Sequence, residues 1–309
     1  MKTNNIIEIK KLRKTYSNNL EALKGIDINI KKGKFFGLLG PNGAGKTTTI
    51  GILTGLVNLS SGSISINNYD IIKDYKKTRK MIGLSPQEIN LDVFFTIKEL
   101  LIFQGGYYGL SMTESKKRVE KLLIDLGLED KASSKARELS GGMKRRVQIA
   151  KALVHDPEII ILDEPTAGVD IELRHLLWKS LKEMNASYNK TLLLTTHYIE
   201  EAENLCDEVA IIDDGKIIAQ GSPNDLIKSD GESHINICVN RWDENYLEGY
   251  EVSLKDNNII SIKSKDTEKD IPIIIRNLSK NEISINRLDV KKASLEDVFI
   301  KLTGKKIND

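Results

Sequence analysis

The sequence predicts an α/β fold built on a parallel sheet, with a small α+β domain following it. Three observations predict this. Four nearly continuous apolar runs, "FFGLL" (35–39), "IIIL" (159–162), "LLLTT" (192–196) and "VAII" (209–212), have the texture of strands buried on both faces. The first of them runs into "GPNGAGKT" (40–47), a G-x-x-x-x-G-K-[ST] pattern followed by "TTIGILTGL", which can form a helix. Beyond about residue 230 the pattern resets to short strands around a helix.

In chain order, "IIEIKKL" (6–12), "IDINI" (26–30) and "SISI" (63–66), punctuated by Gly and Asn-Asn, predict antiparallel strands and hairpins. Residues 88–155 predict a mainly helical insertion. Within it "VEKLLIDL" places Val119, Leu122, Leu123 and Leu126 on one helix face. "DDGKII" (213–218) carries an Asp-Gly hairpin signal, and "GSPNDL" (221–226) reads as the exit from a first domain spanning 1–228. The second domain, 229–309, is predicted from "HINICV", "NIISIKS" and "EISINRLDV", with a helix over 267–279. A last helix starts at Ser294, with Asp297 three residues on as in a capping box; Leu295, Val298, Phe299 and Leu302 form its apolar stripe.

Composition sets bounds. With 309 residues, 40% apolar and 29% charged, the chain can bury a large core. Its 46 basic and 44 acidic residues leave a formal charge of only +2, so no nucleic-acid partner is expected. Cys206 and Cys238 are too few for a disulfide framework or a thiolate zinc site, and a reducing cytoplasm is expected. "MKTNNIIEIKKLRK" lacks the apolar core of a signal peptide, and no window approaches the roughly 18–20 apolar residues needed to span a bilayer. A chain of this kind can still dock on a membrane protein.

The chemistry concentrates at the predicted strand ends. In Gly40, Pro41, Asn42, Gly43, Ala44, Gly45, Lys46, Thr47 and Thr48 the glycines let backbone N–H groups curl inward around phosphate oxygens, and the following helix presents its positive end to the same anion. A helix end contributes only about 0.3–1 kcal/mol per exposed charge, too little for a phosphate chain. Lys46 is therefore assigned the β and γ oxygens and Thr47 the Mg2+. "IIILDEP" ends a buried strand in Asp163, placed to hold Mg2+, and Glu164, placed to orient or deprotonate an attacking water. His197 ends "LLLTTH" and should reach the same edge, while Gln87 in "SPQE" stands at the entry to the helical insertion.

"LSGGMKRRVQIAKAL" (139–153) holds neither a nucleophile and base nor a metal-ligand set. Ser140 can cap a helix with Met143, Val147, Ala150 and Val154 as its apolar stripe, leaving the N–H groups of Ser140, Gly141 and Gly142 at an anion-binding start. Lys144, Arg145, Arg146 and Lys151 are expected to form a solvated basic face.

In this order and spacing, "GPNGAGKT", "SPQE", "LSGGM", "ILDEPTAGVD" and "TTH" resemble the P-loop, Q-loop, signature, Walker B with D-loop, and switch histidine of an ABC transporter nucleotide-binding subunit. The resemblance covers about residues 6–228. It implies a P-loop NTPase cassette with an antiparallel β-subdomain and a helical subdomain, with ATP and Mg2+ bound. In that family two cassettes pair head to tail, so Ser140, Gly141 and Gly142 of one copy would lie against the γ-phosphate held by the P-loop of the other. The resemblance further implies that Tyr16 stacks on adenine, that Gln87 joins Thr47 and Asp163 near the metal, and that Asp170 lines the dimer interface. Met143 departs from the glutamine often found there. "QEINLDVFFTIKELLIFQGGYYGL", "HYIEEAENLCDEVAIIDDGKIIAQGSP" and "ASLEDVFIKLTG" resemble the ATPases of type-2 exporters, the daunorubicin-resistance-like group with an extra C-terminal domain. The expectation is an ATP-binding and ATP-hydrolysing export subunit, homodimeric, on the cytoplasmic face of the cell membrane. A separate integral membrane permease would contact the groove near 87–108. A soluble ABC ATPase of translation or DNA repair, or an importer ATPase, is the alternative. The C-terminal domain is read as a buttress or dimer brace, with regulation or permease contact as the other roles.

Overall fold

The computed structural model describes residues 4–169, 171–243, 247, 249–255 and 258–305. Alternation builds the first sheet. β1 (Asn5–Thr15) buries Ile7, Ile9 and Leu12, and β2 (Glu21–Lys31) pairs antiparallel with it and buries Leu23, Ile26, Ile28 and Ile30. The chain then enters β3 (Phe35–Leu39), all five residues buried, and helix α1 (Lys46–Thr54). It returns through β4 (Ser61–Ile66) and β5 (Tyr69–Asp70) to complete a sheet of order β2-β1-β4-β5.

Helix α2 (Tyr75–Lys80) leads to β6 (Ile82–Ser85), a strand not anticipated from the sequence because four residues carry no readable period. Three longer helices follow: α3 (Ile97–Tyr107), α4 (Met112–Asp125) and α5 (Gly141–Leu153). Each begins where a hydroxyl caps it. Thr96 with Glu99 and Ser111 with Glu114 form full capping boxes, and Ser140 Oγ accepts from Met143 N at 3.3 Å. The predicted face of α4 is buried at Val119, Leu122 and Leu123.

The rest of the first unit alternates buried strand and helix, β7 (Ile159–Asp163), α6 (Ile171–Tyr188), β8 (Thr191–Thr196), α7 (Ile199–Leu205) and β9 (Glu208–Asp213), and ends in the more exposed β10 (Lys216–Gly221). The second sheet has the order β10-β9-β3-β8-β7-β6, parallel from β9 to β6, with β10 added as an antiparallel hairpin. Asp214 and Gly215 turn that hairpin in the left-handed region, as the Asp-Gly pair predicts.

Register is what builds the site. Leu39 lies opposite Thr196, Thr195 opposite Asp163, and Leu162 opposite Ser85. The loops leaving β3, β6, β7 and β8 therefore emerge side by side at the C-terminal edge of the sheet.

A second compact unit starts at Ser222. The sequence reading placed this change at 228/229; helix α8 (Pro223–Asp230) packs on the last helix, α10 (Leu295–Thr303), and so belongs to the second unit. Between them run β11 (Ser233–Val239), β12 (Val252–Lys255), β13 (Ile259–Ser264), α9 (Thr267–Lys280) and β14 (Ile285–Lys291). The strands form an antiparallel sheet of order β12-β13-β11-β14, and Ile235, Ile237, Ile260 and Ile262 pack with Ile274 and Leu278 of α9. The Ser294–Asp297 capping box is present in both directions.

One half-buried histidine ties the helical region to the sheet. The His155 ring stacks on Tyr108 with centroids 3.5 Å apart, and its Nε2 lies 3.0 Å from the Ile82 carbonyl. Burial holds this imidazole down at about 4, against an ordinary value of 6.5. Between pH 6.5 and about 4 the unfolded chain takes a proton that the folded chain resists. Stability present above that window is expected to fall by up to ~3 kcal/mol as the pH drops through it. Denaturant melts of wild type and His155→Phe across these pH values check this. The variant profile should be flatter by that amount, whereas parallel profiles would place the titration elsewhere.

Candidate functional site

The loop after β3 is shaped for close approach. Gly45 has φ +110°, and a Cβ there would meet Leu23 Cδ2 at 2.7 Å and the Ala22 carbonyl at 2.8 Å, so only glycine fits. At Gly40 a Cβ would run into the Ile212 carbonyl. Asn42, Gly43 and Thr47 are exposed, Pro41 and Thr48 half-buried, and Ala44 buried. The Tyr16 hydroxyl lies 3.3 Å from Thr48 Oγ1, and Lys14 Nζ sits 4.9 Å from the Tyr16 ring centre. The tyrosine is thus fixed beside the loop.

Lys46, the first residue of α1, folds back into the loop. Its Nζ donates to the carbonyls of Gly40 at 2.7 Å and Pro41 at 3.0 Å, and stands 3.3 Å from Glu164 Oε1 with only 4% of the side chain exposed. Burial pushes the ammonium down from its ordinary value, and the Glu164 carboxylate opposes this.

β7 delivers the two carboxylates. The Thr195 hydroxyl donates to Asp163 Oδ1 at 2.6 Å while accepting from Glu164 N at 3.1 Å, so one side chain uses both of its capacities. Burial pushes the Asp163 carboxyl up, while the Thr195 hydroxyl holds it back. Glu164 has φ 45°, a left-handed backbone that costs a non-glycine residue of order 1–3 kcal/mol; its N–H also donates to the Thr195 carbonyl at 3.1 Å.

Three side chains converge on the Glu164 carboxylate. Besides Lys46, Gln87 Nε2 donates to Oε2 at 3.2 Å, and His197 Nδ1 approaches the same oxygen at 3.2 Å without hydrogen-bond alignment. Lys46, Gln87, Asp163, Glu164 and His197, predicted from four separate loops, are therefore brought together, with Thr47 at the mouth.

Ser140, Gly141 and Gly142 are not. Helix α5 packs against β6, α3, α4 and α6, whereas α1 packs against β2 and β7. Among the described residues no hydrogen bond or ion pair joins 140–142 to the loop 40–48. Ser140 and Gly141 are exposed at a helix start whose first N–H groups have no intrahelical acceptor. Asp170 lies outside the described residues.

The basic cluster departs from expectation. Arg145 is buried, its Nη1 donating to the carbonyls of Pro86 at 3.1 Å and Gln87 at 2.9 Å, and Arg146 Nη1 donates to the Leu126 carbonyl at 3.0 Å. Their positive charge marks a contact inside the subunit, not a solvated face. Sequence reasoning also missed Thr195 and Glu201. Fully buried Glu201 accepts at Oε1 from Thr166 Oγ1 at 3.0 Å and from Trp178 Nε1 at 3.1 Å, and burial pushes its carboxyl up. Only strand register could have revealed Thr195.

A Lys-bearing phosphate loop beside a carboxylate pair, at the C-terminal edge of a parallel sheet, defines a nucleotide-hydrolysing P-loop site. The chain belongs to the ABC transporter family, which it matches over residues 23–167. Residues 221–303 match the C-terminal domain of DrrA1-3-like ATP-binding proteins. The chain is 38% identical to the linearmycin resistance ATP-binding protein LnrL of Bacillus subtilis, over 98% of this chain and 100% of that protein. It is 40% identical to Nod factor export ATP-binding protein I of Cupriavidus pinatubonensis, over 98% and 92%. Among solved structures, cbiO1 from Clostridium perfringens, part of the cbiONQ transporter complex, superposes with a TM-score of 0.68 at 34% identity, over 73% of this chain and 92% of that one. A dimeric post-hydrolysis cassette, MJ0796 bound to ADP and Pi, gives 0.63 at 30% identity, over 70% and 98%. The protein is an ABC-type ATPase that binds ATP.

Proposed function

We propose that the chain is the ATP-hydrolysing subunit of an export-type ABC transporter, working as a head-to-tail pair of copies on a separate membrane permease at the cytoplasmic face of the cell membrane. The observation that carries this reading is the convergence of Lys46, Gln87 and His197 on Glu164, while Ser140 stands apart. Half a site is assembled and the other half faces outward. Full-length likeness to proteins named for linearmycin resistance and Nod factor export supports export over import or a soluble role.

In this reading the phosphate chain lies along the loop amides of 42–47, and Lys46 exchanges its Glu164 contact for the β and γ oxygens. Breaking a buried pair costs about 3–5 kcal/mol unless a new partner replaces it, and the phosphates are that partner. Glu164, released from Lys46, takes a proton from the attacking water; His197 and Gln87 hold the water and the γ-phosphate in line. Ser140 and the amides of Gly141 and Gly142 of a second copy close the site, and Tyr16 stacks on the base. The Thr47 hydroxyl, the Asp163 carboxylate and the Gln87 amide oxygen are hard oxygen donors that fit Mg2+. Bound there, Mg2+ would neutralise charge on the β and γ phosphates. Asp170 is assigned to the interface between copies.

Among the described residues no helix is long and apolar enough to cross a membrane. A cavity of about 730 Å3 lined by Pro86, Phe95, Phe103, Tyr107 and Lys151 is the proposed permease groove. Nearby Phe94 is 78% exposed and Tyr107 86%, large apolar surfaces of the kind that mark interaction sites. Fractionation of cells expressing the chain with its native partners tests the assignment. Recovery with the membranes, lost on Phe103→Asp with Tyr107→Asp, is expected; a chain found wholly in the soluble fraction would favour the non-transport alternative.

A further inference from the structure

The geometry points to Arg145 and Gln148 as positioning residues that lock the loop carrying Gln87 to the signature helix α5, so that Gln87 and Ser140 move as one body. Arg145 Nη1 donates to the carbonyls of Pro86 at 3.1 Å and Gln87 at 2.9 Å. Gln148 Nε2 donates to the carbonyls of Pro86 at 2.9 Å and Glu88 at 2.6 Å, and its Oε1 accepts from Arg145 at 3.1 Å. Three successive carbonyls of one loop are thus held by two side chains one helical turn apart, each 3% exposed.

Stability alone gives a poor account of this arrangement. Burial pushes the Arg145 guanidinium down from its ordinary value, and its Nε is buried without a hydrogen-bond partner. A buried cation with an unsatisfied donor is costly, and an apolar side chain of similar volume would pack at least as well. What the pair supplies is geometry. Loop carbonyls that would otherwise exchange freely with water are fixed to a rigid helix.

The consequence is a link between two half-sites. Gln87 donates to Glu164 at 3.2 Å inside its own site, while Ser140 caps the start of the same α5 that anchors the Gln87 backbone. When Gln87 shifts to engage nucleotide, the tether carries Ser140 with it, toward the site of the second copy. This rests on the paired-copy reading above. Of the two side chains, Gln148 also lines the proposed permease groove, as does Pro86 of the tethered loop.

The test uses full-length protein in the Glu164→Gln background, with light scattering against ATP concentration. Gln148→Met and Arg145→Lys are each expected to weaken ATP-driven dimerisation by ~5- to 150-fold, the usual range of coupling between sites. Binding of a fluorescent ATP analogue to the dilute monomer should be unchanged. Gln87→Ala combined with Gln148→Met should be no worse than Gln87→Ala alone, because both cut one linkage, whereas a merely structural role gives additive losses. If Arg145→Lys fails to fold, Gln148→Met decides alone, since it keeps the core volume and both Arg145 bonds to the loop. Additive losses, or dimerisation by the variants with the parent's ATP dependence, overturn the tether. A parent that stays monomeric with ATP bound overturns the paired-copy reading, and the tether with it.

Discussion

Glu164→Gln is expected to retain ATP binding and lose turnover by ~10²- to 10⁴-fold, the usual contribution of a positioned general base. The amide is nearly isosteric and can keep its contacts with Gln87 and His197, but it cannot accept the proton of the attacking water. The left-handed backbone at Glu164, secured by two bonds to Thr195, involves only main-chain atoms of that residue and should survive the change. Steady-state phosphate release reads the loss, and a fluorescent ATP analogue reads the binding. The mass of this variant by light scattering with Mg-ATP is expected to double, because a complex that cannot hydrolyse ATP cannot reopen. Wild-type turnover would remove Glu164 from the role of base.

Ser140→Arg is expected to abolish that doubling while leaving nucleotide binding to each monomer unchanged. Among the described residues Ser140 is held only by bonds of its own helix start, from Met143 N and Lys144 N, and no hydrogen bond joins it or Gly141 to the phosphate loop of the same chain. Loss of the cap costs about 0.5–2 kcal/mol, too little to unfold a domain of this size. A bulky cation at an anion-binding helix start would instead block the approach of a second copy and repel Lys46 across the interface. Normal dimers of the doubly substituted protein, Glu164→Gln with Ser140→Arg, would refute a site shared between copies.

How much of this was legible follows from how local each signal is. The four buried runs appear as strands β3, β7, β8 and β9, because short, nearly continuous apolar runs between polar flanks leave few alternatives. Strand β6 has four residues, two of them Gly and Ser, and strand β12 alternates only over Val-Ser-Leu-Lys, too short a run to stand out. Site residues carried by the ends of recognisable strands, such as Asp163 and His197, could be placed by position alone. Thr195 could not, because its role arises from facing Asp163 across a parallel register that no single segment encodes. Arg145 failed for the opposite reason. The sequence shows a cation on a helix, and solvent is the ordinary environment for one; only tertiary packing reveals two carbonyls of a distant loop around it, with the Gln148 amide oxygen of its own helix.

The chain holds two tryptophans, and each compact unit contains one. Trp178 has its indole N–H fixed on Glu201, which also grips Thr166 just beyond the carboxylate pair, whereas Trp242 packs against the core of the second unit. Indole emission is sensitive to such local surroundings. The molecule therefore carries a native optical gauge for each unit. Trp242→Phe leaves a signal from the catalytic unit alone, and Trp178→Phe leaves one from the accessory unit, so their melting can be followed separately without a label.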